Sequence, residues 1–463
     1  MSANEPAERP TAATGGDAGS DGSTPTDGAG GAGGPEPPRR RFLLKRRPVI
    51  FYGWWVVLSG TAIMALMGAF SYYGMGVFFN SIKDDLGWSA AALGAALSLA
   101  RIQGGVLAPG VGFLIDRYGS QKLVLIGVVL SGLGFILLGQ TMSVVYFYII
   151  FVFLVQGGVS AGMGNAPMAA VTNWFYRRRA TAHGVMNLGL SFGGILALPL
   201  AWIIEAWGWR QALVFAGATI WVVGIPLSFV IRHRPEDYGY LPDGDDPAER
   251  TAEGDFPGAQ APEEAEYSPW EAMKTLAFWS IALMFSARHF VTGSVALFLI
   301  PLLEERGMSL ADAAGVLSLM ALIGTPGRVG FAWLGDRYDK RLVIGFCFAF
   351  QSVGIIGFTA LGGNIGILFF LILYSPTYSG VLPLIPAIQA DYFGREWFAT
   401  IRGLMTPVAT ASVVLGPIVV AGIRDWTGSY EPAFAALGVS NLLALVFVAI
   451  TRRPRGATFQ PAA

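Results

Sequence analysis

The sequence predicts an all-α integral membrane protein, with twelve transmembrane helices in two bundles of six and both termini in the cytoplasm. Three observations lead to this prediction. The 463 residues are 53% hydrophobic and only 13% charged, with a mean hydropathy of +0.53, whereas about 25% of the residues of a soluble domain are charged. Long apolar segments recur along the chain, and motifs of the first half return in the second. A net charge of zero gives no reason to expect a nucleic-acid partner.

The apolar segments are each near the roughly 20 residues that cross about 30 Å of hydrocarbon. They lie at 50–79, 89–115, 122–140, 144–171, 180–204 and 210–231, and then at 273–302, 309–334, 342–362, 365–389, 400–423 and 432–451. The chain therefore divides into five parts. They are a disordered cytoplasmic tail at 1–48, a first bundle at 49–231, a polar linker at 232–272, a second bundle at 273–452 and a second, short cytoplasmic tail at 453–463.

The distribution of lysine and arginine sets the orientation, because these residues favour the cytoplasmic loops. With the N-terminus inside, 24 of the 31 lysine and arginine residues fall on the cytoplasmic side. This total counts both Arg395 and Arg402 with the loop between the tenth and eleventh predicted spans. The expected location is the cell membrane, with the lipid bilayer as the solvent.

The two halves repeat one motif after another. Asp336 follows Asp116 by 220 residues, Phe393 follows Phe175 by 218, and Gly403 follows Gly184 by 219. Parallel repeats of this kind place a substrate path between the halves, near the middle of the membrane.

The residues that repeat also resemble a known family. The loop at 112–119, Gly-Phe-Leu-Ile-Asp-Arg-Tyr-Gly, and its echo at 334–341 resemble the signature loop of the major facilitator superfamily. The stretches 52–57, 174–184 and 234–244 are similar to the monocarboxylate transporter group and its bacterial oxalate/formate antiporter relatives. This resemblance implies the major facilitator fold and a carrier that works by alternating access.

Three arginines, Arg101, Arg288 and Arg328, lie inside predicted spans that contain no central Asp or Glu. An arginine at membrane depth costs from about 3 to more than about 10 kcal/mol and faces a cavity, a counter-charge or backbone carbonyls. The missing counter-charge indicates an anionic substrate, because a planar guanidinium binds a carboxylate with two hydrogen bonds. Arg328 also resembles the family's substrate arginine in helix 8. The alternatives are that Arg328 reaches the inner headgroups, that Arg101 bonds backbone carbonyls, and that Arg288 pairs with carbonyls or with the polar face of helix 11.

Other polar and aromatic groups lie on helices that line the cavity in the family. As substrate-binding candidates we add Tyr72, Tyr73, Asn165 and Tyr374, because a ring with one hydroxyl suits a small organic acid. His289 is the candidate for proton coupling, since its ordinary pKa of about 6.5 lies near physiological pH. The alternative is a neutral histidine hydrogen-bonded between helices.

The repeated signature loops supply the gating candidates. Asp116, Arg117, Asp336 and Arg337 lie at cytoplasmic helix ends, where a charge bridges neighbouring helices or meets a helix N-terminus. In the family these residues hold the outward-facing state closed on the inside.

These observations predict a secondary active transporter of a small monocarboxylate or dicarboxylate, coupled to a proton or to a counter-anion, and expected to be a monomer. An efflux carrier for drug-like compounds and a non-transporting nutrient sensor on the same fold remain as alternatives. No metal-ligand cluster, nucleotide loop or serine-histidine-acid set is present, so neither an enzyme nor a cofactor is expected.

Overall fold

The computed structural model describes residues 50–245 and 266–454, and these residues are helical almost throughout. The predicted N-terminal tail, the middle of the predicted linker and most of the predicted C-terminal tail lie outside the described residues. Long helices α1 to α6 form what we call the first half: Tyr52–Leu86, Ala90–Tyr118, Ser120–Leu138, Val144–Trp174, Arg179–Trp207 and Trp209–Val230. Helices α7 to α12 form the second half: Leu276–Glu305, Leu310–Arg337, Lys340–Leu361, Gly363–Phe393, Phe398–Thr427 and Glu431–Ile450.

The prediction of an all-helical membrane chain is confirmed in these residues. Eleven of the described helices are long and apolar enough to cross a membrane, all of α1 to α12 except α5. Helix α5 is 29 residues long and packs against α1, α8 and α10. Several helices extend beyond the apolar segment that predicted them. Helix α1 continues to Leu86 and α10 to Phe393, because hydropathy marks the apolar part of a helix and not its polar ends.

Two helices contain π-helical turns, which widen the helix and occur often at functional sites. In α1 the turn covers Met67–Tyr73, and in α4 two turns cover Ile150–Gln156 and Val159–Gly164. Both helices nevertheless remain continuous. A single residue, Gly119, joins α2 to α3 with a φ of 89°, a conformation that glycine adopts without the steric cost of a Cβ atom.

The two halves meet along α2 with α11 and along α5 with α8 and α10. Glycine permits these close contacts: a Cβ atom at Gly112 would lie 2.2 Å from the carbonyl oxygen of Ala399, and one at Gly403 would lie 2.3 Å from that of Ala108. Hydrogen bonds join the halves at the end that carries Asp116 and Asp336. Further along the helices, Ser191 Oγ and Thr325 Oγ1 form another bond between the halves, 3.2 Å long. We call the end of the bundle that carries the two aspartates the closed end.

The first part of the predicted linker packs on the closed end of the first half. Trp174 Nε1 donates to the carbonyl oxygen of Arg232 at 2.9 Å, and Asn173 Nδ2 donates to that of His233 at 3.0 Å. The backbone N–H groups of Tyr176 and Arg177 donate to Asp243 Oδ2. The linker returns in the second half, where the carboxylate of Glu266 accepts from the N–H groups of Arg395 and Glu396. The two halves thus use an equivalent contact before α5 and before α11.

The side chain of His233 caps the N-terminus of α3. Its Nδ1 accepts a hydrogen bond from the backbone N–H of Ser120 at 3.1 Å, so this nitrogen carries no proton. Burial, with the charge of nearby Arg234, lowers the pKa of His233 from 6.5 to about 4. Protonation is therefore less favourable in the folded chain than in the unfolded chain.

Replacing Gly112 with alanine should lower the midpoint of thermal unfolding, because the added Cβ collides with the backbone of α11 at a cost of about 1–3 kcal/mol. Gly110→Ala in the same helix is the matched control, since nothing lies within 4 Å of its Cβ position. Thermal melts of both variants in detergent check this expectation. Equal midpoints for the two would contradict the close contact between α2 and α11.

Acid should destabilise the protein through His233. Because its folded pKa lies below its unfolded pKa, the stabilising contribution is complete above pH 6.5 and declines as the pH falls from 6.5 to about 4. His233→Gln, which keeps an acceptor that does not titrate, should reduce the fall in melting temperature across that range. An unchanged pH profile would mean that Ser120 does not depend on a neutral imidazole.

Candidate functional site

Arg328 lies in α8 with 8% of its side chain exposed, at the contact between the two halves. Its Nη1 donates to the carbonyl oxygen of Asn187 at 2.6 Å and to Ser191 Oγ at 3.1 Å, both in α5. Its Nη2 donates to Ser379 Oγ of α10 at 3.1 Å. Its Nε is buried without a hydrogen-bond partner. The guanidinium therefore contacts neutral acceptors, and Nε with one hydrogen of Nη2 remains available.

Arg288 of α7 is 7% exposed, and its Nε is also buried without a partner. It lies close enough to Tyr374, Tyr378 and Arg328 to interact with them electrostatically. Neither Arg288 nor Arg328 forms an ion pair with a described residue. Two buried positive charges therefore share one region without a carboxylate of their own.

Aromatic residues from both halves surround these arginines. Tyr374 and Tyr378 of α10 stack with ring centroids 5.4 Å apart, and Phe370 continues the stack at 4.7 Å. Tyr72 and Tyr73 lie in the π-helical turn of α1 and interact electrostatically with Arg328. Tyr72 is 72% exposed, and its electrostatic interaction with Arg328 places it near that arginine.

The structure does not bring all predicted ligands to this place. Arg101 of α2 is exposed and forms no hydrogen bond or ion pair with a described residue. Asn165 of α4 is half-buried, and its side chain forms no hydrogen bond with a described residue. The cluster therefore consists of Arg288 and Arg328 with the four tyrosines.

One alternative for Arg288 was a set of hydrogen bonds to backbone carbonyls, but it is Arg328 that forms such a bond. Arg288 donates no hydrogen bond to a described backbone carbonyl, whereas Arg328 bonds the carbonyl oxygen of Asn187. Arg328 also does not extend to the membrane surface, because its guanidinium is held between α5 and α10.

Arg402 is a site residue that the sequence did not identify. It was counted with the loop arginines, but it lies in the second turn of α11 with 6% of its side chain exposed. Its guanidinium lies 5.1 Å from the ring centroid of Phe285 in α7. The signal that could have identified it is its place inside the predicted span at 400–423.

Two histidines lie near Arg402. The Nδ1 of His289 is 2.9 Å from the carbonyl oxygen of Phe285, four residues earlier in the same helix. This bond lies within one helix and not between helices as the alternative assumed. His183 of α5 is buried, with Nε2 3.0 Å from Thr172 Oγ1, and the sequence argument overlooked it. The proton-coupling role of His289 stays a prediction.

The aspartates of the two signature loops meet helix N-termini across the halves. Asp116 accepts from the N–H groups of Ala399 and Thr400 at 3.1 and 2.7 Å, at the start of α11. Asp336 accepts from those of Ala180 and Thr181, both at 2.8 Å, at the start of α5. Each carboxylate satisfies N–H groups that have no partner inside the helix and lies at the positive end of the helix dipole.

The arginines of the same loops do not take part in these contacts. The Arg117 guanidinium lies 5.9 Å from the ring centroid of Phe113, and that of Arg337 lies 5.4 Å from Trp333. Both side chains are exposed. The ion pair across the halves instead joins Arg179 Nη1 to Asp391 Oδ1 at 2.9 Å, and Lys340 Nζ binds the other oxygen at 2.7 Å.

Asp391 lies on α10 just beyond the end of the predicted tenth span. The predicted span ended at residue 389, yet α10 extends to Phe393 and carries Asp391 against the buried side chain of Arg179. This carboxylate neutralises charge at the closed end and forms no ion pair with Arg288, Arg328 or Arg402. Within residues 50–245 and 266–454, no group of three or more His, Cys, Asp or Glu could hold a metal ion.

Comparison with known proteins gives one consistent result. Residues 61–417 match the model of the Major Facilitator Superfamily. The chain is 28% identical to the 4-hydroxybenzoate transporter PcaK of Pseudomonas putida, over 88% of this chain and 94% of that protein. It is 23% identical to the oxalate:formate antiporter of Oxalobacter formigenes, over 84% and 89%.

A human relative and two solved structures agree with these matches. The chain is 23% identical to human monocarboxylate transporter 2, over 86% of this chain and 85% of that one. Among solved structures, it is similar to the transporter FucP in the outward conformation, with a TM-score of 0.67, 15% identity and coverage of 87% and 100%. It is also similar to the human organic anion transporter MFSD10, with a TM-score of 0.63, 15% identity and coverage of 89% and 100%.

Removing either signature aspartate should weaken the closed end. Asp116→Ala and Asp336→Ala each remove a charged acceptor from a helix N-terminus, at an expected cost of about 1–2 kcal/mol. A cysteine placed at Ala399 in a Cys347→Ser background should then react faster with a maleimide in both variants, and faster still when both are combined. Asp425→Ala, at an exposed position of α11, is the control, and equal rates in all variants would contradict this role.

Proposed function

Because the chain belongs to the major facilitator superfamily, a family of membrane transporters and not of enzymes, we propose that it is a secondary active transporter of small organic anions. The proposed cargo is a monocarboxylate or dicarboxylate, moved with a proton or exchanged for another anion. The carrier works by alternating access between two six-helix halves, as a monomer with twelve spanning helices in the cell membrane.

The observation that carries this proposal is the buried charge of Arg288 and Arg328. Hydrogen bonds to Asn187, Ser191 and Ser379 satisfy part of the Arg328 guanidinium, but neutral acceptors leave its positive charge without compensation. An isolated buried ion costs several kcal/mol, and a bound anion offsets this cost. The Nε of Arg328 and the free hydrogen of Nη2 present two donors to one carboxylate.

The relatives support the same chemistry. Oxalate and formate, named for the Oxalobacter antiporter, and 4-hydroxybenzoate, named for PcaK, are all carboxylates. The tyrosine rings from both halves offer an apolar wall with hydroxyl groups, which suits a small acid. The candidate ligands of the proposed site are therefore Arg328 and Arg288 with Tyr72, Tyr73 and Tyr374. Arg101 and Asn165 are retained as candidates for a different state of the carrier.

The orientation follows from charge. With most lysines and arginines on the cytoplasmic side, both termini and the closed end face the cytoplasm. The conformation described here is then outward-facing, with the arginines reached from outside. Asp116 and Asp336 hold the inner side closed, and Arg117 and Arg337 contribute positive charge at that surface. His289 is the proposed proton-coupling residue if transport depends on a pH gradient.

Uptake into proteoliposomes tests the proposal. The full-length protein should accumulate at least one labelled acid from a panel of formate, oxalate, lactate and 4-hydroxybenzoate. Arg328→Ala should lower that uptake by about tenfold or more, because a buried charged hydrogen bond is lost. Arg328→Lys should retain part of it. Arg424→Ala, a matched variant at the far end of α11, should transport as the native protein does.

The same assay separates the alternatives. Dependence on an imposed pH gradient would support symport, whereas uptake that requires an internal anion would support exchange. Uptake by Arg328→Ala equal to that of the native protein would refute the proposed site. Movement of a bulky organic cation alone would identify an efflux carrier, and binding of the acids without uptake would identify a sensor.

A further inference from the structure

The contact between α7 and α11 contains a second place where positive charge is buried without compensation. Arg288 and Arg402 are 7% and 6% exposed, and their charges interact electrostatically. The side chain of Arg402 forms no hydrogen bond or ion pair with a described residue, and the Nε of Arg288 is buried without a partner. Two like charges therefore lie close together in a region of low dielectric constant, where they repel each other strongly.

The neighbouring side chains do not balance these charges. The ring of Phe285 offers Arg402 a cation–π contact at 5.1 Å. Such a contact stabilises a cation by much less than burial destabilises it. His289 and His183 also interact with the charge of Arg402, but neither supplies a negative group. A bound anion would compensate the charge of this pair.

This place differs from the contacts of Arg328. Arg328 lies in α8 and donates to α5 and α10, whereas Arg402 lies in α11 and faces α7 through Phe285. Arg288 interacts with both of the other arginines and so connects the two places. Arg402 is two residues after Thr400, whose N–H group is bound by Asp116, so it lies near the closed end.

We propose that Arg288 and Arg402 form a second carboxylate subsite beside that of Arg328. It holds either the far carboxylate of a dicarboxylate whose first carboxylate binds Arg328, or a second monocarboxylate. This inference rests on the proposed transport of organic anions. It adds Arg402 as a residue that distinguishes acids by their number of carboxylates.

The test uses two acids that share one ring and differ by one carboxylate, benzoate and terephthalate. Binding of each to the full-length protein is measured by equilibrium dialysis at pH 7.5, with the affinity and the number of molecules bound. Arg402→Gln removes the charge, and Arg402→Lys keeps it. Arg424→Gln is the matched control in the same helix, because Arg424 lies near its opposite end over the ring of Tyr430.

If the subsite holds the far end of a dicarboxylate, Arg402→Gln should weaken terephthalate by about tenfold or more and benzoate by less than about threefold. If it holds a second monocarboxylate, the same variant should reduce bound benzoate from two molecules per chain to one. In either case Arg402→Lys should recover part of the loss, and Arg424→Gln should match the native protein. Affinities and stoichiometry unchanged in Arg402→Gln would overturn the inference.

Two further variants keep the result interpretable. Phe285→Glu places a carboxylate against Arg402, so it should fold and should reproduce the loss caused by Arg402→Gln even if that variant does not fold. Native binding by a folded Phe285→Glu protein would count against the subsite. Arg328→Ala tests the proposed function separately. Loss of both acids there, with native behaviour in Arg402→Gln, would remove the second subsite and leave the proposed transporter intact.

Discussion

The positive charge of arginine side chains inside a low-dielectric helix bundle is the constraint on which the rest of this structure depends. Arg288, Arg328 and Arg402 are each less than 10% exposed and form no ion pair with a described residue. By contrast, Arg179 is just as buried but lies at the closed end, where Asp391 neutralises it. The bundle thus supplies carboxylates where the halves must hold together and none where the arginines meet the tyrosines. That division separates a structural contact from the proposed anion site.

The contacts at the closed end depend on charge in a second way, because carboxylates there bind the N-termini of helices. Asp116 and Asp336 bind equivalent positions at the starts of α11 and α5, and Asp243 and Glu266 bind the residues just before those helices. Each half therefore supplies one acid that caps a helix of the other. Because these bonds are local to the helix ends, the proposed alternating-access cycle would break them while the packing within each half is kept.

The sequence predicted much of this architecture because hydropathy, charge bias and internal repeats are local signals. The helices, the repeated aspartates and the deep placement of Arg288 and Arg328 all came from such signals. The contacts of Asp391 and Arg402 did not, because both residues lie at span ends, where hydropathy declines gradually while the helix continues. The bond from Arg328 to the carbonyl oxygen of Asn187 was also out of reach, since any residue type could supply that oxygen. The exposed position of Arg101 likewise depends on how α2 faces its neighbours.

Arg328 links anion binding to the conformation of the protein, because it belongs to the proposed anion site and also to the contact between the halves. Two of its three hydrogen bonds cross between the halves, to the carbonyl oxygen of Asn187 and to Ser191 Oγ. Opening the closed end separates α5 from α8 and breaks both bonds, which leaves a buried cation with Ser379 as its remaining acceptor among these contacts. A carboxylate on Nε and Nη2 would travel with α8 and compensate the charge throughout that movement. Under the proposed function, an anion at Arg328 would therefore lower the cost of opening more than it stabilises the closed end. This difference in free energy is what a carrier needs for a bound substrate to promote the change of access.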